Sequence, residues 1–178
     1  MHPQRRTLAT VVLVGGMAVL VSYAYGLIVN PDLLNKFWGG VPPALQPAYS
    51  VSMLLATAGF FVYTFFLLFC VDPDRARIAD RLGYSLFSVL YLLILVPSAL
   101  WMPLTAAMLE HGSGAIWSGI RLTLGVVGLG SIGLCGALLA LRPRRPLWLY
   151  GLAVAGGLAF CLQTAVLDAL VWTALFPV

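Results

Sequence analysis

Of the six carboxylates in this 178-residue chain, Asp168 is the one set well inside an apolar run. An ionisable side chain at membrane depth is costly, so by default it marks a site with a partner or a ligand. Asp168 lies eight residues before Phe176, and Arg121 sits at a comparable depth from the same end of its own run. A buried Asp168–Arg121 ion pair would tie two helices together; a direct contact between Asp168 and a ligand is the rival reading. "MLEHG" places Glu110 beside His111. With Asp168, that acid and imidazole could move protons in an integral-membrane lipid- or sterol-modifying enzyme of the isomerase kind. Neighbouring helical residues do not share a face, however, and a short polar loop accounts for the pair equally well.

Other polar groups recur at helical spacing. Tyr84, Ser88, Tyr91, Leu95, Ser98, Met102 and Thr105 fall on one stripe, as do Tyr49, Ser52, Ala56, Gly59, Tyr63, Phe66 and Cys70. Gly157, Cys161, Thr164, Asp168 and Trp172 form a third. Singly, such hydroxyls bond between helices for about 0.6 kcal/mol each. Together, three polar and aromatic stripes describe a pocket with a few directional groups on apolar walls.

Several chemistries lack their residues. Cys70, Cys135 and Cys161 are widely spaced and form no CxxC, which argues against thiol–disulfide exchange. Lys36, the only lysine, falls in a loop, so no membrane lysine is available for a retinal Schiff base. His2 and His111 are expected on opposite sides of the membrane, too far apart for bis-histidine haem ligation. No His, Cys or acid cluster has metal-site spacing.

The elements that must position these groups are membrane helices. The chain is 61% hydrophobic and 9% charged, with a mean hydropathy of +0.98. A soluble domain of this size cannot bury that much apolar surface. Five apolar runs, at 8–29, 48–70, 83–109, 115–141 and 147–176, each exceed the roughly 20 helical residues that cross a bilayer. The expected fold is therefore an all-α integral membrane protein: one domain over residues 1–178, built as a five-helix bundle. The first run is too long for a signal-peptide core and reads as a true span. Arg5, Arg6, Arg75, Arg77, Arg81, Arg142, Arg144 and Arg145 all fall on one side, leaving Lys36 and Arg121 on the other. The positive-inside rule then makes the N-terminus cytoplasmic and places loop 1 and the C-terminus outside. That charge reflects topology and lipid headgroups, and nucleic acid is not an expected partner. "GVVGLGSIGLCGALLA" in helix 4 carries the small pairs Gly133/Ala137 and Gly136/Ala140, suited to close packing within the bundle or in a homodimer. Pro97 and Pro103 flank Trp101 and are expected to kink helix 3.

Loop 1 is unlike a plain connector. "NPDLLNKFWGGVPPALQPAY", residues 30–49, holds four prolines, two adjacent glycines and a Trp. Its core "LNKFWGGVPPALQP" resembles the first loop of the translocator protein, or tryptophan-rich sensory protein, family. There a Leu-Asn-Lys-Pro-Trp-Trp-Asn-Pro-Pro type segment precedes a proline opening helix 2. "SALWMP" (Ser98–Pro103) resembles that family's helix 3 motif, Asn-x-x-Trp-x-Pro. Phe37 stands where the family often has Pro, Gly39-Gly40-Val41 replaces its second Trp and Asn, and Ser98 replaces its helix 3 Asn. The fifth-helix pattern of the family, rich in Pro, Tyr, Trp and Asn, is not evident. The resemblance implies a five-helix bundle whose first loop covers a ligand pocket. It also implies porphyrin or sterol-like ligands and a homodimer. Trp38, Pro42 and Pro43 would then belong to the lid, and Trp101 and Pro103 to the wall.

The expected function is a membrane receptor or binding protein for a hydrophobic ligand, a porphyrin or haem-type tetrapyrrole or a sterol-like molecule, with no obligatory cofactor. Its expected ligand-binding residues are Trp38, Pro42, Pro43, Tyr49, Tyr63, Tyr91, Ser98, Trp101, Pro103, Thr164, Asp168 and Trp172. Membrane lipid is the other expected partner. The alternatives are the enzyme using Asp168, Glu110 and His111, and a small accessory or assembly subunit held through helix 4.

Overall fold

The computed structural model describes residues 1–29, 32 and 35–177. Asn30, Pro31, Leu33 and Leu34 of loop 1, the last of which opens the family-like motif, lie outside the described residues, as does Val178. Helix α1 spans Pro3–Val29, and a 3-10 turn, Lys36–Trp38, lies in loop 1. Helix α2 runs over Gln46–Phe65 and ends in a π turn, Phe66–Cys70. Helices α3 and α4 are Ser85–His111 and Gly114–Ala140. Helix α5 starts as Leu147–Cys161, continues as a π-helix over Leu162–Trp172, and closes with the turn Thr173–Leu175. All five are long and apolar enough to cross a membrane. Large apolar side chains such as Leu13, Leu54, Phe61, Leu129 and Leu170 cover the outside, a surface suited to hydrocarbon.

Local signals explain the element ends. Pro3 opens α1 where a missing N–H does no harm, and this carries the helix five residues beyond the apolar run that begins at residue 8. Gly112 ends α3 in the left-handed conformation, at φ 55°, and Ser113 caps α4 by accepting from the Ala115 amide. With so short a link, α3 and α4 must pack as antiparallel neighbours. α3 passes through Pro97 and Pro103 as one continuous helix rather than breaking at either. The missing N–H of Pro103 frees the Ala99 carbonyl, and Ser22 of α1 donates its hydroxyl to that carbonyl at 2.7 Å.

The helices form a ring in the order α1, α3, α4, α5, α2. α4 is the most buried span and packs between α3 and α5. Its glycines explain how closely it does so: Gly130 and Gly133 face α3 side chains, and Gly128 faces Ala165 of α5. Gly133 and Ala137 are thus used inside the bundle, while Gly119, Gly125 and Gly136 face open space. α2 and α5 cross at Gly59 and Gly156, where backbone meets backbone with no room for a methyl group.

The ring is held differently at its two ends. At the N-terminal end, Arg77–Ile78 of loop 2 (β1) pairs antiparallel with Leu141–Arg142 of loop 4 (β2), and Ile78 and Leu141 are buried. Arg5 of α1 donates to the Val71 carbonyl at 2.9 Å just beyond α2, and Leu8 is fully enclosed. α1 meets α2 chiefly through the Phe66–Cys70 turn at this end. At the other end there is no pairing of that kind among the described residues. Loop 1 and aromatic side chains close it instead.

Candidate ligand-binding site

The π-helical part of α5 carries Gln163, Thr164, Asp168 and Trp172. A π-helix bonds residue i to i+5, and its wider turn brings side chains five apart onto one face. Gln163 Nε2 accordingly donates to Asp168 Oδ1 at 2.8 Å. In an ordinary α-helix those two residues would diverge. The Leu167 carbonyl of the same segment accepts from the Tyr49 hydroxyl of α2 at 2.8 Å. Thr164 donates to Ser131 of α4 at 2.8 Å.

Loop 1 is seated on the end of α5. Trp172 Nε1 donates to the Phe37 carbonyl at 3.1 Å. Gly40 packs directly on the Leu175 carbonyl, where a Cβ could not fit, and Gly39 adopts φ 57° beside Phe176 and Trp172. Phe37 is buried with Met102 and Ala106 of α3, and Val41 with Tyr49, Met108, Ile120, Leu124, Trp172 and Phe176. Beneath the loop the aromatic rings pack on one another. Trp117 stacks on Phe176 with centroids 5.0 Å apart, and Trp101 meets Trp172 edge-on at 5.7 Å. Tyr23 lies 5.7 Å from Trp101, and Trp38 lies 6.4 Å from Tyr49. Each such pair adds about 0.5–1.5 kcal/mol beyond the area it buries. Five buried polar atoms have no hydrogen-bond partner among the described residues: Trp101 Nε1, Gln163 Oε1 beside Asp168, and, away from the loop 1 end, the Tyr63 hydroxyl, Gln4 Oε1 and Arg5 Nε.

The structure divides the expected ligand residues. Trp38, Tyr49, Trp101, Asp168 and Trp172 gather at the loop 1 end. Tyr63 and Tyr91 belong to a separate core toward the N-terminal end, where the Tyr91 hydroxyl bonds Thr64 at 2.6 Å and both rings pack with Phe60. The residues of the three stripes are thus shared between two packed clusters. Thr164 is engaged with Ser131, and Ser98 is half-buried without a hydrogen bond among the described residues. Pro42, Pro43 and Pro103 are exposed, so they shape the loop and helix without lining the cluster.

The expected Asp168–Arg121 pair does not form. Arg121 is exposed on α4, while Asp168 turns to Gln163. Glu110 and His111 sit 3.7 Å apart at the exposed end of α3, and no hydrogen bond or ion pair joins either to Asp168 among the described residues. Sequence reasoning missed Tyr23, Gln163, Phe37 and Phe176. Gln163 is five positions from Asp168, a spacing with no meaning until the π-helix is known. Two surface cavities, of about 440 and 430 Å³, lie at the N-terminal end, away from this cluster. Comparison of the chain with protein-family models, with curated proteins and with solved structures gives no match.

Proposed function

We propose that the chain is a membrane binding protein for a planar hydrophobic molecule, a tetrapyrrole or a sterol-like compound, taken up at the loop 1 end. The observation that carries this reading is an aromatic cluster under a docked loop in which Trp101 Nε1 is buried and unpartnered; a second unpartnered atom, Gln163 Oε1, sits on the amide that holds Asp168. An unmet buried polar atom costs about 1–3 kcal/mol, which a ligand supplying the missing partner would relieve. Tryptophan and tyrosine faces suit a flat ring system, and the Asp168–Gln163 pair suits a hydroxyl or N–H donor. The resemblance of loop 1 and "SALWMP" to the translocator family supports the same ligand classes.

The test is a titration of the purified protein with protoporphyrin and, separately, with a sterol, following tryptophan fluorescence. Saturable binding near one equivalent is expected for one of them. Trp101→Phe and Asp168→Asn should each weaken it, by about tenfold for a lost hydrogen bond to a charged or buried group. Binding that never saturates, or that ignores both substitutions, would sink the reading.

A further inference from the structure

The larger cavity at the N-terminal end, about 440 Å³, is lined by Arg75, Arg77, Asp80, Arg142, Pro143 and Arg144. Four guanidinium groups face one carboxylate there. A surplus of arginine on one side of a membrane protein is ordinary. The arrangement of these four is not. The β1–β2 register sets Arg77 directly opposite Arg142, and like charges in that relation destabilise a strand pair. The adjoining turn holds Ala79 and Asp80 at φ 50° and 59°, a left-handed conformation that is strained for residues other than glycine.

The arginines are braced by neutral groups. Arg144 donates to the Leu139 and Leu141 carbonyls at 2.6 and 3.2 Å, and its guanidinium lies 5.2 Å from the centre of the Tyr150 ring. Arg77 donates to the Ala76 and Asp74 carbonyls at 3.0 and 3.4 Å. These contacts hold the Arg77 and Arg144 forks without neutralising them, and leave other N–H groups unused. Arg75 alone has a carboxylate partner, Asp72 at 3.4 Å.

We propose that this groove between loops 2 and 4 binds an organic phosphate, the phosphate being held by Arg77, Arg142 and Arg144. Guanidinium forks match phosphate oxygens in pairs, and a phosphate between Arg77 and Arg142 removes their mutual repulsion. The groove is open at the surface, which leaves room for an organic group carried on the phosphate. An anionic phospholipid headgroup and a soluble phosphate ester share that chemistry.

The experiment uses the full chain in detergent. Native mass spectrometry would measure binding of phosphatidylglycerol, with phosphatidylcholine as reference, and glycerol 1-phosphate would be added as competitor. Saturable phosphatidylglycerol binding is expected, weakened about tenfold or more in Arg77→Gln/Arg142→Gln. Arg81→Gln/Arg145→Gln removes as much charge from the same two loops but from outside the groove, and should change affinity by no more than about twofold. Arg142→Lys keeps the charge, loses the fork, and should also weaken binding. Competition by glycerol 1-phosphate identifies a soluble-ester site; lipid binding without competition identifies a headgroup site. Equal losses in both double variants, full affinity in Arg142→Lys, or no saturable binding of either compound would each overturn the proposal.

Discussion

Two hydrogen bonds show what single residues contribute at membrane depth. Ser22 supplies the donor that Pro103 denies to the Ala99 carbonyl, and in the hydrocarbon of a bilayer no water would replace it. Ser22→Ala should lower thermal stability in detergent by about 0.6–1.7 kcal/mol, the range found for interhelical bonds in membranes, while Ser22→Thr should retain most of it. Asp168 behaves differently, because its partner is a neutral amide on its own helix. Asp168→Asn can keep the bond to Gln163 and removes a costly charge, so stability should hold or rise even as ligand affinity falls. Gln163→Leu strips the carboxyl of its partner and should destabilise the protein. A melting series on these two variants separates a structural carboxylate from a binding one: the structural reading requires Asp168→Asn to unfold the chain.

At the scale of elements, α5 decides the geometry of the site and loop 1 decides its cover. The spans themselves were legible in the sequence, because bilayer thickness fixes helix length and apolar composition marks it. The stripes were legible too, but their meaning was not. Tyr91 and Met102 stand eleven positions apart on one stripe, about 16 Å along a helix axis, so that stripe serves two clusters. The π-helix left no trace readable in the residues, although it decides that Gln163 and Asp168 meet. Loop 1 announced itself by its prolines and tryptophan, yet the contact that seats it, Gly40 on Leu175, joins residues with no sequence relation. That contact predicts that Gly40→Ala lifts the loop. Lys36 is the only lysine and is exposed, so endoproteinase Lys-C reads the loop at a single bond. Cleavage should accelerate in Gly40→Ala and in Trp172→Phe, and an unchanged rate in both would mean that the loop is held elsewhere.

For the molecule as a whole, charge and packing are both lopsided. Eight of the ten basic residues lie at the end closed by β1 and β2. The positive-inside rule predicts that this end is cytoplasmic, and a tag appended to the C-terminus should react with an impermeant label from outside intact cells. A protected tag would invert the assignment of both ligand sites to their sides of the membrane. α2 and α5 meet at bare backbone, so Gly59→Leu should disrupt the whole bundle and not just one contact, seen as loss of a cooperative melt.

The ring of helices is pinned at one end and only propped at the other, and α1 touches α2 chiefly where it is pinned. In a bilayer the seam between those two helices would then face the acyl chains beside the aromatic cluster. A hydrophobic molecule would arrive through it sideways, from solution in the bilayer, and not by way of water. Its effective concentration is then its mole fraction in the lipid. Affinity expressed per litre of buffer should drift with the amount of detergent or lipid present, while affinity expressed as a mole fraction should stay constant.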